Sequence, residues 1–158
     1  MEYHKLTKNN RLEIVDRCSK VLLSGGVIAL PFDTVYGFIC DSGHDQAVEK
    51  IFTIKNRAKN KAIGLAVASI EKIGAIAALN VQAKSFIAPR IPGPYTFILP
   101  IKDRSISSLC LSNNTIAVRV PKNDLVLDII KVTKLVIAQT SANPAGGKNS
   151  GSVEEIYA

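Results

Sequence analysis

The chain has 158 residues, the length of one ordinary domain, and can bury a proper core without metal or disulfide support. Apolar residues make up 47% and charged residues 21%, which argues against disorder, and 20 Lys plus Arg against 13 Asp plus Glu leave a formal charge of +7. That excess either favours an anionic partner such as nucleotide, polyphosphate or RNA, or serves only as a solubilising surface.

Cys18, Cys40 and Cys110 lie far apart, as do His4 and His44, so no zinc site is expected and a reducing compartment is the simplest setting. The N-terminus reads as neither a signal nor a transit peptide, and no apolar run reaches about 18 residues. A soluble, cytoplasmic protein is the expectation.

The first helix is expected over Thr7 to Leu23, with Leu12, Val15, Cys18, Val21 and Leu22 at helical spacing and Gly25-Gly26 as the stop. Val27 to Pro31 reads as a short buried strand. His44 to Ile54 carries Ala47, Val48, Ile51 and Phe52 on one face, a second helix. Leu65 to Val67 is a strand and Ser69 to Leu79 a short helix. Tyr95 to Ile101 and Thr115 to Val120 are strands, each preceded by turn-forming residues. Asn123 to Val132 is a helix capped by Asn123 or Asp124, and Leu135 to Ala138 another buried strand. Ser152 to Glu155 has the pattern of a capping box that opens a last helix. Helices and strands alternate throughout, so the class is α/β in one layered domain, residues 1–158.

Four segments where strands or helices run out into polar sequence could carry chemistry, because loops at strand ends converge over one crevice. Pro31 to Gly37 offers the Asp33 carboxylate and the Thr34 hydroxyl, as a capped turn or as ligand contacts. Lys55 to Lys61 holds four cations in seven residues, which alternate spacing would set on one side of an extended segment for phosphate or carboxylate. A solvated loop would look the same. Arg119 lies among β-branched residues and needs a partner, either a structural carboxylate or an anionic ligand. Gln139 to Gly151 brings hydroxyls, an amide and glycines whose backbone amides could cradle phosphate, or forms a plain polar turn; it is not a Walker A loop.

In this order the segments resemble the Sua5/YciO/YrdC family, the L-threonylcarbamoyladenylate synthases. The family signature P-T-D/E-T-V-Y-G-L is matched by Pro31 to Phe38. K-x-R falls at Lys55 to Arg57, P-G-P-x-T at Pro92 to Thr96, A-V-R-x-P at Ala117 to Pro121 and S-x-N at Ser141 to Asn143, so the motifs span residues 25–151.

The resemblance implies a twisted mixed sheet flanked by helices, YrdC-like, with an open basic cleft. It implies a nucleotidyltransferase that joins L-threonine, bicarbonate and ATP into threonylcarbamoyl-AMP and releases pyrophosphate, for N6-threonylcarbamoyladenosine modification of tRNA. Thr34, Arg119 and Thr140 would then hold threonine or bicarbonate. Lys55 and Arg57 would be catalytic, and these two would bind nucleotide together with Lys59, Thr115, Ser141, Asn143 and Asn149. Mg²⁺ would be carried with ATP and needs no protein metal site. Downstream tRNA-modifying transferases would be partners, with direct RNA contact an open matter and no membrane role.

The chain departs from the family pattern at Phe32, Ala58, Ile63-Gly64 and Ala145, and its C-terminal closing element is expected to be missing or reduced. Two other readings remain: a non-catalytic RNA-binding relative, and a carbamoyl-adenylate-forming domain of hydrogenase-maturation type.

Overall fold

A computed structural model describes residues 3–7, 9–144, 146–147 and 156. Helix α1 (Arg11–Leu23) begins later than its sequence pattern, because Asn10 spends its side chain on the Thr7 amide (2.7 Å) and the Lys5 carbonyl (2.9 Å). Its inward face is Ile14, Val15, Ser19 and Leu22, whereas Leu12 is 85% exposed. The stripe expected through Leu12 and Val21 is thus rotated by about one residue. Gly25, at φ +75°, ends this helix against the His44 imidazole, which a Cβ would strike at 2.6 Å.

Strands β1 (Ile28–Pro31) and β2 (Tyr36–Asp41) form a hairpin, so the signature segment turns back on itself rather than running on as a loop. The sequence reading missed β2. Helix α2 (Asp45–Lys55) is capped by His44 Nδ1, which accepts from the Ala47 amide at 3.3 Å, and it buries Ala47, Val48, Ile51 and Phe52 as expected. Strand β3 (Gly64–Ala66) precedes α3 (Ile70–Ile76), which is shorter than expected because Ala77 leaves it to pair with Ile101. Helix α4 (Val81–Ile87) was not legible: only Ile87 is buried, so no apolar period marks it. Strands β4 (Phe97–Pro100) and β5 (Thr115–Arg119), helix α5 (Asp124–Thr133) and strand β6 (Ile137–Ser141) complete the domain. Of the two candidate caps for α5, Asn123 is the one used, accepting from the Val126 amide at 3.1 Å. The helix expected at Ser152 lies outside the described residues.

The six strands form one sheet in the order β1-β2-β6-β3-β5-β4, antiparallel throughout except for the parallel pair β3–β5. Helices α2 and α3 pack on one face over Phe38, Cys40, Leu65, Ile116 and Val118. Helices α1 and α5 pack on the other over Leu30, Ile39, Ala66 and Ile137. That second cover stops at β3. Beyond it, Ile98 is 73% exposed and Ala117, Thr115 and Gly64 are only half-buried, so a strip of this face stays open.

Candidate functional site

Register and the two-residue period of strands fix what floors the open strip. Gln139 lies opposite Gly64, which lies beside Ala117 and then Ile98 across the sheet, all on one face. Two residues along, Ser141, paired with Gly37, and Thr115, paired with Pro100, stand on the same face. Gly, Ala, Ser and Thr give this strip a floor of small side chains. Thr140 alternates to the α2 face with Ala138, opposite to Ser141, so the structure does not bring it to this strip. Gly64, Ala117 and Gln139 were not singled out from the sequence as floor residues, although small side chains at every second strand position were the available signal.

The 31–35 turn folds over this face. The Phe32 ring lies against Gly37, where a Cβ would meet it at 3.0 Å. Asp33 and Arg119 then join the turn to the end of β5. Arg119 Nη2 donates to both Asp33 oxygens, at 2.6 and 2.7 Å, and to the Gly93 carbonyl at 3.2 Å. Asp33 also accepts from the Lys122 amide at 3.1 Å, and Asn123 Nδ2 donates to the Pro31 carbonyl at 3.1 Å. The ion pair is 6% and 9% exposed, so it operates in a low dielectric. Arg119 Nε is buried without a partner. The embedded arginine therefore has a structural carboxylate and also retains an unspent donor. Thr34 is exposed on the same turn.

The K-x-R cations do not lie in a row. Lys55 closes α2, Asn56 takes a left-handed conformation at φ +47°, and the chain reverses. Lys55 is 2% exposed. Its Nζ donates to the Ser141 carbonyl, to the Asn143 carbonyl at 2.5 Å and to Asn143 Oδ1 at 3.3 Å. Burial, with a smaller push from the Arg57 guanidinium, lowers this ammonium to about 8. Arg57 Nε and Nη2 donate to the Lys61 and Ala62 carbonyls at 2.8 and 2.9 Å, which ties the 57–62 loop. Lys59 pairs with Glu49 at 2.7 Å on the surface. Thr115 Oγ1 donates to the Ser112 carbonyl at 2.6 Å, which leaves it able to accept. Asn149 lies outside the described residues.

Burial pushes the Cys40 and Cys110 thiols up to about 12, so neither is a thiolate nucleophile at neutral pH. Among the described residues no group of three or more His, Cys, Asp or Glu converges as metal ligands. No helix among them is long and apolar enough to cross a membrane.

A six-stranded mixed sheet with helices on both faces defines an α/β domain of the YrdC-like fold. The family model for Sua5/YciO/YrdC, described as telomere recombination, matches residues 20–158, and the chain belongs to that family. It is similar to P. abyssi Sua5 in complex with L-threonine at 25% identity and a TM-score of 0.85, covering 97% of this chain and 44% of that one. It is similar in fold to E. coli YciO, at 23% identity and a TM-score of 0.74, covering 82% of this chain and 63% of that one. The same holds for T. kodakarensis HypF, at 17% and 0.76, covering 97% of this chain and 20% of that one. The chain thus spans less than half the length of the Sua5 protein it matches.

Proposed function

We propose that the chain is an L-threonylcarbamoyladenylate synthase: L-threonine, bicarbonate and ATP give threonylcarbamoyl-AMP and pyrophosphate, for N6-threonylcarbamoyladenosine modification of tRNA in the cytoplasm. The observation that carries the reading is family membership over residues 20–158, together with the convergence of the signature turn, the A-V-R strand and the S-x-N strand end on one sheet face. That a Sua5 relative is complexed with L-threonine supports threonine as the amino acid.

In this reading the threonine amine forms a carbamate with bicarbonate, releasing water, and a carbamate oxygen displaces pyrophosphate from the ATP α-phosphorus. Thr34 and the unspent donor of Arg119 hold the amino acid. Ser141 and Thr115, on the open floor, contact nucleotide, and the part of Arg57 not tied to Lys61 and Ala62 stabilises charge as pyrophosphate leaves. Positioning supplies most of the rate, since the reactants bring their own electrophile and nucleophile. Mg²⁺ arrives on the triphosphate, and the product passes to tRNA-modifying transferases.

The test is mass spectrometry of reactions containing ATP, Mg²⁺, ¹³C-bicarbonate and either threonine or serine. A labelled threonylcarbamoyl-AMP peak that requires threonine is the expected result. Folded protein that binds ATP yet gives no product would overturn the reading. A product formed from carbamoyl phosphate instead would move the chain to the hydrogenase-maturation type.

A further inference from the structure

The best-satisfied group near the site is the one its sequence most invites assigning to phosphate. An ammonium has three N–H donors and no acceptor. Lys55 Nζ finds three acceptors within the chain, the carbonyls of Ser141 and Asn143 and Asn143 Oδ1. It reaches them from the last residue of α2 and is only 2% exposed, so the chain itself already encloses the charge.

Asn143 is equally spent. While Oδ1 accepts from Lys55, Nδ2 donates to the Pro144 carbonyl at 3.0 Å and to the Gly147 carbonyl at 2.8 Å. The Gly147 amide closes the turn on the Pro144 carbonyl at 2.9 Å, and the Ala142 amide anchors its start on the Tyr36 carbonyl at 2.8 Å. Converging carbonyls of this kind repel one another unless a cation sits among them, and a buried carbonyl without a donor is costly.

We infer that Lys55 is a positioning residue: its ammonium acts as a tethered monovalent cation that holds the turn at Ser141 to Pro144 in shape through Asn143, and it does not contact the nucleotide. Its effect on ligand reaches through the loop. Deleting the side chain leaves a hole lined by carbonyls that a small alkylammonium ion can fill. The loop-ordering claim stands independently of the proposed reaction, whereas its effect on ATP rests on that reading.

The experiment compares amide hydrogen exchange at Ala142, Asn143 and Gly147, and Mg-ATP binding by calorimetry, in the wild type, Lys55→Met and Lys55→Ala. We expect the sheet amides of Ile39 and Val118 to stay protected in both variants, while the loop amides exchange at least about tenfold faster. ATP affinity should fall by a similar factor. Ethylammonium should restore both properties to Lys55→Ala in a saturable way, and tetramethylammonium, which has no N–H, should not. Unchanged loop exchange with weakened ATP binding would show direct phosphate contact and overturn the inference. A loosened loop that ethylammonium fails to restore would overturn it too, leaving packing alone as the cause. Failure of wild-type protein to bind ATP would sink the proposed function and leave the loop result to decide this inference.

Should the variants not fold, ¹⁵N-lysine spectra of the wild type decide the matter. One slowly exchanging ammonium unmoved by Mg-ATP is expected. The absence of a slow ammonium, or a large shift of it on adding Mg-ATP, would refute it.

Discussion

Replacing Asp33 with Ala removes the carboxylate that compensates Arg119 in a pocket where the two side chains are 9% and 6% exposed. Charge centres about 4 Å apart at an effective dielectric of about 20 attract by about 4 kcal/mol, and removing one partner of a buried pair costs about 3–5 kcal/mol. Arg119 keeps only the Gly93 carbonyl at 3.2 Å, and the Lys122 amide loses its acceptor as well, so the upper part of that range applies. For a domain of this size the loss corresponds to a fall in Tm of roughly 8–20 °C. The assay is urea and thermal unfolding of wild type, Asp33→Ala, Arg119→Ala and the double variant. Each single change should cost several kcal/mol, and the double should cost less than their sum by about 1–3 kcal/mol. If both single variants lose under about 1 kcal/mol, as exposed pairs do, the pair is not the buried brace between the signature turn and β5, and the reasoning fails.

Three further outcomes are expected. The proposed synthase activity should decline as pH rises through about 8, where Lys55 loses its charge. The stability contribution of Lys55 runs the other way: its folded value lies below the ordinary 10.5, so the unfolded chain holds the extra proton between about 8 and 10.5 and stability from this group rises across that window. Lys55→Met should flatten both trends in activity and denaturation profiles, and activity constant from pH 7 to 10 in the wild type would refute the assignment. Gly37→Ala should destabilise by about 1–3 kcal/mol, because its Cβ meets the Phe32 ring at 3.0 Å and the Thr140 carbonyl at 3.2 Å; an unchanged urea midpoint would show that Phe32 gives way freely. Arg57→Ala should lower turnover by at least about a hundredfold with the fold retained, measured in the same mass-spectrometric assay, and wild-type turnover would remove Arg57 from the site.

Much of the fold was legible because burial wrote it into the pattern. Ala47, Val48, Ile51 and Phe52 mark α2, and Val27 to Pro31 marks β1, since each packs against a continuous core. What escaped notice lies where burial is one-sided or thin. Strand β6 reads as polar from Gln139 onward because its outward face at Gln139 and Ser141 meets the open strip rather than a helix. Helix α4 buries a single side chain, so only its Asn80 cap, accepting from the Ala83 amide at 2.7 Å, announces it.

The partners of the buried motif charges were not legible in the sequence, for one physical reason. A buried charge recruits whatever partner the fold brings near, and that partner need not be close in sequence. Asp33 is 86 residues from Arg119, and Ser141 is 86 residues from Lys55. Seen along the chain, neither cation names its partner, and a ligand and a structural acceptor fit equally; in the folded molecule each holds together two segments that the motifs name separately. The Arg119 pair binds the signature turn to the A-V-R strand, and Lys55 binds the K-x-R helix to the S-x-N loop. Motif residues can thus be tied to one another without each touching substrate. Among the described motif residues, these contacts leave one buried guanidinium nitrogen of Arg119 without a partner and the Thr115 hydroxyl free to accept.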